Sequence, residues 1–397
     1  MIKLRKTIYS ILCLMMNVCL ISGCIEEYEA DITSEDSDLL VVEGTICSGK
    51  LSKFTLSRTE PINAYYSPEI VKTASVSVRG TDGTEYRTES TEGHYQCQMG
   101  DLNPDVEYYL HIEIGDEVYE SVPQKPLRSE KIADVCGVQS TPESNIDVLV
   151  TPAEPFEPDK ANYYLWTYDV TWQVYPDFKT NIYYDTTQKK PVNKLNQFPS
   201  CGWIDAAGSS IVIGSSASYK KQHIQRLKLY DISRGNERLF YRYSGLVHQR
   251  SITKAEYEYE IARRQASSEM GGLFTPQPSA LPTNIRCLTS RKHVIGYVGC
   301  SMNISEYRFF LNAKDFSIYR PSLKDLRVWL ENPTDSICCE MVKRGYYLCE
   351  WEDPLKTIGG VLRTAWATEE LLDVRCRYKG AYIEEPEFWS LTENMSY

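Results

Sequence analysis

From Tyr164 to Val174 every even-numbered residue is aromatic or aliphatic (Tyr164, Trp166, Tyr168, Val170, Trp172, Val174), while Thr167, Asp169, Thr171 and Gln173 fall between them. A repeat of two residues is the strand period; wound as a helix, the same six side chains would point in all directions. The run predicts one long strand over 163–174 with a heavy apolar face that another layer has to cover. Aromatics on such a face belong to a core more often than to a ligand platform. Tyr163, on the opposite face, and Tyr183-Tyr184 are the first places to look for an exposed patch able to stack on a sugar or hold a peptide.

The same alternation recurs in shorter runs nearer the start. Leu39–Ile46, Phe54–Ser57, Ala74–Arg79, Glu85–Thr88, His94–Met99, Glu107–Ile114 and Val118–Val122 read as strands. Asp82-Gly83 and Gly115-Asp116 are turn dipeptides between alternating segments, which favours hairpins. Short strands divided by turns over roughly 90 residues predict an immunoglobulin- or fibronectin-like β-sandwich over 39–126, with Pro123 and Pro126 marking its end. Residues 127–397 then read as a larger β-rich domain, with strands at Asn145–Val150, Ser210–Ser215, Leu239–His248 and His293–Ser301 beside the long one. One inserted helix stands out. Thr253 and Glu256 form a capping box, Ala255, Tyr259, Ala262 and Ala266 share a face, and Gly271-Gly272 can end it. The fold class is accordingly mainly β.

Before all this, Lys3, Arg5 and Lys6 precede an apolar run from Ile8 to Leu20 and the tetrapeptide Ile21-Ser22-Gly23-Cys24. That order is a secretory signal, and the run is short of the ~20 apolar residues that a membrane-spanning helix needs. The tetrapeptide resembles the lipobox of bacterial lipoproteins. Residues 1–23 are expected to be removed by cleavage between Gly23 and Cys24, and Cys24 to carry diacylglycerol and a palmitate-type acyl chain. Several chains on one residue give stable anchoring, at about 0.8 kcal/mol per buried methylene. Residues 24–38 follow as an acidic tether. Glu26, Glu27 and Glu29 also resemble the signal that sends Bacteroidota lipoproteins to the outer face of the outer membrane, and an export signal and a solvated tether are compatible readings.

Loss of residues 1–23 removes three positive charges and no negative one, taking the formal charge from −11 to −14. Such a balance repels phosphates and disfavours nucleic acid as a partner; membrane contact is expected through the lipid. Ten cysteines remain beyond Cys24: Cys47, Cys97, Cys136, Cys201, Cys287, Cys300, Cys338, Cys339, Cys349 and Cys376. An even number in an exported chain permits a disulfide framework. Cys47 and Cys97, both in the first sandwich, are the pair singled out. No CxxC occurs, so structural zinc and other metals are not expected.

Gly272-Leu273-Phe274-Thr275-Pro276-Gln277-Pro278-Ser279-Ala280-Leu281-Pro282-Thr283-Asn284-Ile285-Arg286-Cys287, followed by Val294-Ile295-Gly296-Tyr297-Val298, resembles the central signature of the Bacteroidota lipoproteins grouped as domain of unknown function 4249 (DUF4249). Leu40–Gly44, Cys201–Ile204, Arg242–Ser244, Ala255–Tyr259 and Glu385–Trp389 resemble other pieces of that family in the same order. The resemblance implies a surface-exposed outer-membrane lipoprotein accompanying a TonB-dependent transporter.

No HExxH, GxSxG, Walker loop or dinucleotide glycine pattern is present, and His94, His111, His223, His248 and His293 are scattered singly. No catalytic residue and no cofactor can be named. A non-enzymatic binding component of a nutrient transporter is therefore the leading expectation, with a glycan or peptide as its ligand. A surface hydrolase acting on glycans or peptides and a structural or adhesive envelope module are the alternatives.

Overall fold

The long strand occupies Tyr163–Val174, the span its alternation marks, and the chain is mainly β. The structure is a computed structural model that describes residues 38–59, 69–195, 197–208, 210–268, 281–320, 324–352 and 360–390. Gly23, Cys24, Glu26, Glu27, Glu29 and the expected helix stop at Gly271-Gly272 lie outside the described residues.

The strands run β1 Leu40–Cys47, β2 Leu51–Arg58, β3 Glu69–Ile70, β4 Ser75–Gly80, β5 Glu85–Arg87, β6 Glu89–Thr91, β7 His94–Gln98, β8 Tyr108–Ile114, β9 Glu117–Ser121, β10 Ile132–Gln139, β11 Ile146–Pro152, β12 Tyr163–Val174, β13 Ile182–Asp185, β14 Lys190–Asn193, β15 Gly202–Ala207, β16 Val212–Ser215, β17 Leu227–Ile232, β18 Arg242–Ile252, β19 Ile285–Cys287, β20 Val294–Ser301, β21 Ser305–Asn312, β22 Val328–Glu331, β23 Tyr346–Glu352 and β24 Arg363–Thr368. A helix spans Lys254–Ser268 between β18 and β19, and a second spans Asp335–Lys343.

The first sandwich packs the sheet β20-β1-β2-β7-β6 on the sheet β19-β9-β8-β4-β5. Its core takes the alternate residues of each strand: Leu40, Val42 and Ile46 from β1, Phe54 and Leu56 from β2, Val76 and Val78 from β4, and Leu110 and Ile112 from β8. Burying a side chain of this size contributes about 1.5–3 kcal/mol. The sandwich does not close within 39–126. β20 pairs in parallel with β1 from Leu40↔Val294 to Cys47↔Ser301, and β19 pairs with β9. The reason is that β1 has β2 on one side only and needs a second partner. Gly296 makes that pairing fit: its φ is +129°, and a Cβ there would lie 2.0 Å from the Val42 carbonyl oxygen.

The second sandwich packs the sheet β10-β11-β17 on the sheet β15-β12-β18-β21, to which β16 adds alongside β12. Tyr164, Trp166, Val170, Trp172 and Val174 of β12 are buried in its core, with Tyr168 partly so. The buried indole of Trp166 donates to Gln249 Oε1 at 2.8 Å, and Gln249 donates to the Glu130 carbonyl at 2.9 Å. A smaller unit carries the sheet β22-β24-β23. There Tyr184, Cys338, Leu348 and Trp366 form a separate core. The expected exposure of Tyr184 is thereby overturned: the ring is 3% exposed and its hydroxyl donates to Asp335 at 3.0 Å. Tyr163 is half-buried against Tyr257, with ring centroids 5.0 Å apart.

All ten cysteines expected to be available for pairing are free thiols. The Cys47–Cys97 pairing is corrected by strand order. β1 and β7 flank β2 on opposite sides, which puts the two residues about two strand spacings apart, near 9.6 Å, beyond the ~7 Å reach of a disulfide. Their faces differ as well: Cys97 points into the sandwich core and Cys47 away from it.

Candidate functional site

The odd-numbered residues of β1 point away from the first core, and those of β12 point away from the second. Where these two outer faces meet under the helix Lys254–Ser268, they enclose a cleft of about 350 Å³. Glu43, Thr45 and Cys47 of β1 and Tyr297 of β20 form one wall; Leu165 and Thr167 of β12 with His248 and Arg250 of β18 form the other. Leu165 stands opposite Arg250 and Thr167 opposite His248 in the β12–β18 ladder, so the register sets the second wall. Tyr259, Glu256, Glu260 and Arg263 come down from the helix.

The helix begins as its capping box requires, with the Thr253 hydroxyl accepting from the Glu256 amide at 3.0 Å. Of the face expected to pack, Tyr259 is buried and Ala262 and Ala266 are half-buried. Ala255 is exposed, whereas Glu256, Tyr259 and Glu260 are buried. A helix laid on an apolar sheet would bury its alanines; this one lies over buried charge and turns its acids down to meet it. The Glu256 carboxylate accepts from Arg250 Nη2 at 2.5 Å. Gly299 of β20 leaves room for the pair, since a Cβ there would come within 2.9 Å of both Glu256 carboxylate oxygens and 3.0 Å of Arg250 Nη1. Arg250 Nη1 itself is enclosed without a hydrogen-bond partner among the described residues. Burial pushes this guanidinium down, but the charge and hydrogen bond of Glu256 more than offset that, so it stays above its ordinary range.

At the outer end, Glu260 accepts from Arg263 Nε at 3.1 Å and Nη2 at 2.8 Å, and Arg263 Nη1 lies 3.5 Å from Glu43 Oε1. Three carboxylates, Glu43, Glu256 and Glu260, and two guanidiniums, Arg250 and Arg263, thus line the cleft. Tyr297 and Thr253 share a hydroxyl–hydroxyl bond of 2.9 Å, and the Tyr259 and Tyr297 rings sit 5.8 Å apart. Burial raises the Tyr259 phenol to about 12 and also raises Tyr297, so both stay neutral donors near pH 7.

Cys47 and His248 both line this cleft, but they do not form a nucleophile–base pair. The Cys47 thiol is pushed up by burial and donates to the Thr45 carbonyl at 3.7 Å. His248 faces Asp169 with Nε2 at 3.1 Å and Glu306 with Nδ1 at 3.7 Å, and Glu306 is also bonded to Lys50 at 2.6 Å. Among the described residues, one group could hold a metal by spacing: Glu369, Asp373 and Cys376. There the Asp373 carboxylate is already engaged by Arg375 at 2.6 Å.

None of the residues picked out for chemistry from sequence lies at the centre of this site apart from Cys47. Glu256, Glu260 and Arg263 were legible only as a charged stripe spaced by four and three along the helix, the spacing that puts side chains on one face. No helix among the described residues is long and apolar enough to cross a membrane.

No curated protein matches the chain. Residues 25–306 match the family model described as Domain of unknown function (DUF4249), a span that contains every residue lining the cleft and stops before Glu385–Trp389. That match covers about seven-tenths of the 397 residues, and the protein belongs to this family.

Proposed function

We propose that the protein is a lipid-anchored component of the outer face of the outer membrane that binds a small ligand in the cleft between its sandwiches. In this reading it works beside a TonB-dependent transporter and does not transform what it binds. The anchor rests on the lipobox-like Ile21–Cys24 and the acidic residues Glu26, Glu27 and Glu29 behind it. The binding role is carried by one observation: a cleft of about 350 Å³, in the ordinary range for ligand pockets, is lined by Arg250, whose enclosed Nη1 has no hydrogen-bond partner among the described residues. An enclosed unpaired donor is costly, and an acceptor atom brought by a bound molecule would offset that cost. The short connection from Cys24 to β1 at Leu40 would hold the body close to the membrane and to a neighbouring transporter.

Two measurements test this. Cys24→Ser should move the protein from the membrane fraction to the soluble one; membrane retention of the variant would remove the anchor. Pull-down of the wild type in mild detergent should recover an outer-membrane transporter, and its consistent absence would remove the partner.

A further inference from the structure

A second surface, apart from the cleft, combines unpaired cations, exposed rings and a polar groove. It lies at the end of the second sandwich where β12 finishes, β17 leads into β18 and the chain leaves β21. Tyr175, just after β12, packs on Tyr241, just before β18, with ring centroids 4.3 Å apart, and the Ala313 amide donates to the Tyr241 carbonyl at 2.9 Å, so the three segments are tied together. We propose that this end binds an acidic oligosaccharide, with its carboxylates on the guanidiniums and its sugar faces on the exposed tyrosines.

Charge sets the sign of the ligand. The stretches 175–179, 233–241 and 314–320 hold five cations, Lys179, Arg234, Arg238, Lys314 and Arg320, against three carboxylates and no histidine. One of those carboxylates, Asp177, is taken by Arg377 at 3.3 Å, and none of the five cations is ion-paired among the described residues. Four of them stand over rings instead: Lys179 over Tyr175, Arg234 over Tyr319, Arg238 over Trp172 and Arg320 over Tyr241. On a chain of formal charge −11 this is a local positive excess, and it favours an anion.

Shape and polarity set its class. Tyr319 is 58% exposed and Tyr241 38%, and flat rings left in water can stack on the C–H face of a pyranose. Beside them runs an open groove of about 590 Å³ between the β10–β11 turn and the stretch after β21. Gln139 locks its walls together, its side-chain amide donating to the Ser144 carbonyl at 2.9 Å and accepting from the Ser317 amide at 2.8 Å. Arg234 joins groove to ring: it donates to the Pro142 carbonyl at 3.1 Å and stands over Tyr319. The hydroxyls of Ser140, Thr141 and Ser317 line the groove without a hydrogen bond among the described residues, and are left to meet hydroxyls of a sugar. A peptide would instead seek main-chain partners, and those at Pro142, Ser144 and Ser317 are already engaged. A nucleic acid, with a phosphate on every nucleotide, is disfavoured by the acidic remainder of the chain.

Isothermal titration calorimetry on the full mature protein in detergent, with trigalacturonate, maltotriose and triglutamate as probes, decides the matter. Trigalacturonate should bind. Maltotriose, which lacks the carboxylates, and triglutamate, which carries them without sugar faces, should each bind about tenfold more weakly or worse. Tyr319→Ala and Arg320→Gln, both at exposed positions where folding is not at stake, should each weaken trigalacturonate about tenfold with an unchanged melting temperature; Glu43→Gln, in the cleft, should leave it as it is. No heat from trigalacturonate at millimolar concentration, equal affinity for maltotriose or triglutamate, or binding that neither Tyr319→Ala nor Arg320→Gln weakens would each overturn the proposal. The two sites are read separately: failure here leaves the cleft and the transporter pull-down untouched, and their failure leaves this site standing.

Discussion

Glu256→Ala should be the most damaging single truncation in the cleft. Glu256 has 5% of its side chain accessible and Arg250 12%, and they are joined at 2.5 Å. Gly299 seals one side of the pair, so a water replacing the carboxylate would have to enter from the cleft. Removing one partner of a buried ion pair costs about 3–5 kcal/mol, because the other charge stays buried and unpaired. Arg250 keeps some solvent access and the more distant charge of Glu260, which places the expected loss near the lower end, about 3 kcal/mol. Against a typical total of about 5–15 kcal/mol, that is a large fraction. The double variant Arg250→Met with Glu256→Leu should recover most of it, since apolar groups of similar volume need no partner. Urea unfolding of the mature chain measures both. A loss below about 1 kcal/mol for Glu256→Ala, or a double variant no more stable than the single, would refute the claim that this pair is a buried charge held by one contact.

Gly296→Ala should destabilise by about 3 kcal/mol or more, because its Cβ would meet the Val42 carbonyl and no rotamer can relieve a backbone clash; an unchanged thermal melt would contradict the β1–β20 pairing. A fragment covering 39–126 alone should show no cooperative melt, since it lacks the strands that pair with β1 and β9; a sharp transition would mean the sandwich closes without them. Thiol alkylation of the native protein at pH 8 should be fastest at Cys287. Partial burial alone would raise that thiol, but hydrogen bonds from Ser290 and Thr289 bring it below its ordinary value, so more of it is thiolate. Cys97, pushed up by burial to about 11, and Cys300, to about 12, should lag; a mass spectrum with Cys97 modified first would reverse this order. After denaturation without reductant, both Cys47 and Cys97 should alkylate, as free thiols do.

Much of the fold was legible residue by residue. Period-two alternation marked β12 to its ends, and the turn dipeptides at Asp82-Gly83 and Gly115-Asp116 do join paired strands, β4 to β5 and β8 to β9. Strands β10, β13 to β15, β17 and β21 to β24 went unread, because short, edge or irregularly buried strands lose the alternation that betrays them. The helix was legible as a helix, but its orientation was not. Alanines and acids each formed a stripe, and the buried Arg250 beneath decided between them.

By itself the chain determined local geometry: which segments extend, where they turn, that Thr253 starts a helix, and that its family is DUF4249. Those properties depend on neighbours within a few residues, or on words of sequence that survive without a fold. Tertiary structure alone decided that β20 returns to complete the first sandwich, that Cys47 and Cys97 stand on opposite sides of β2, and that Glu43, Arg250 and Glu260 share one cleft. Pairing across long loops is set by which layers must cover one another, and charges distant in sequence acquire a common environment only when two outer faces close around them.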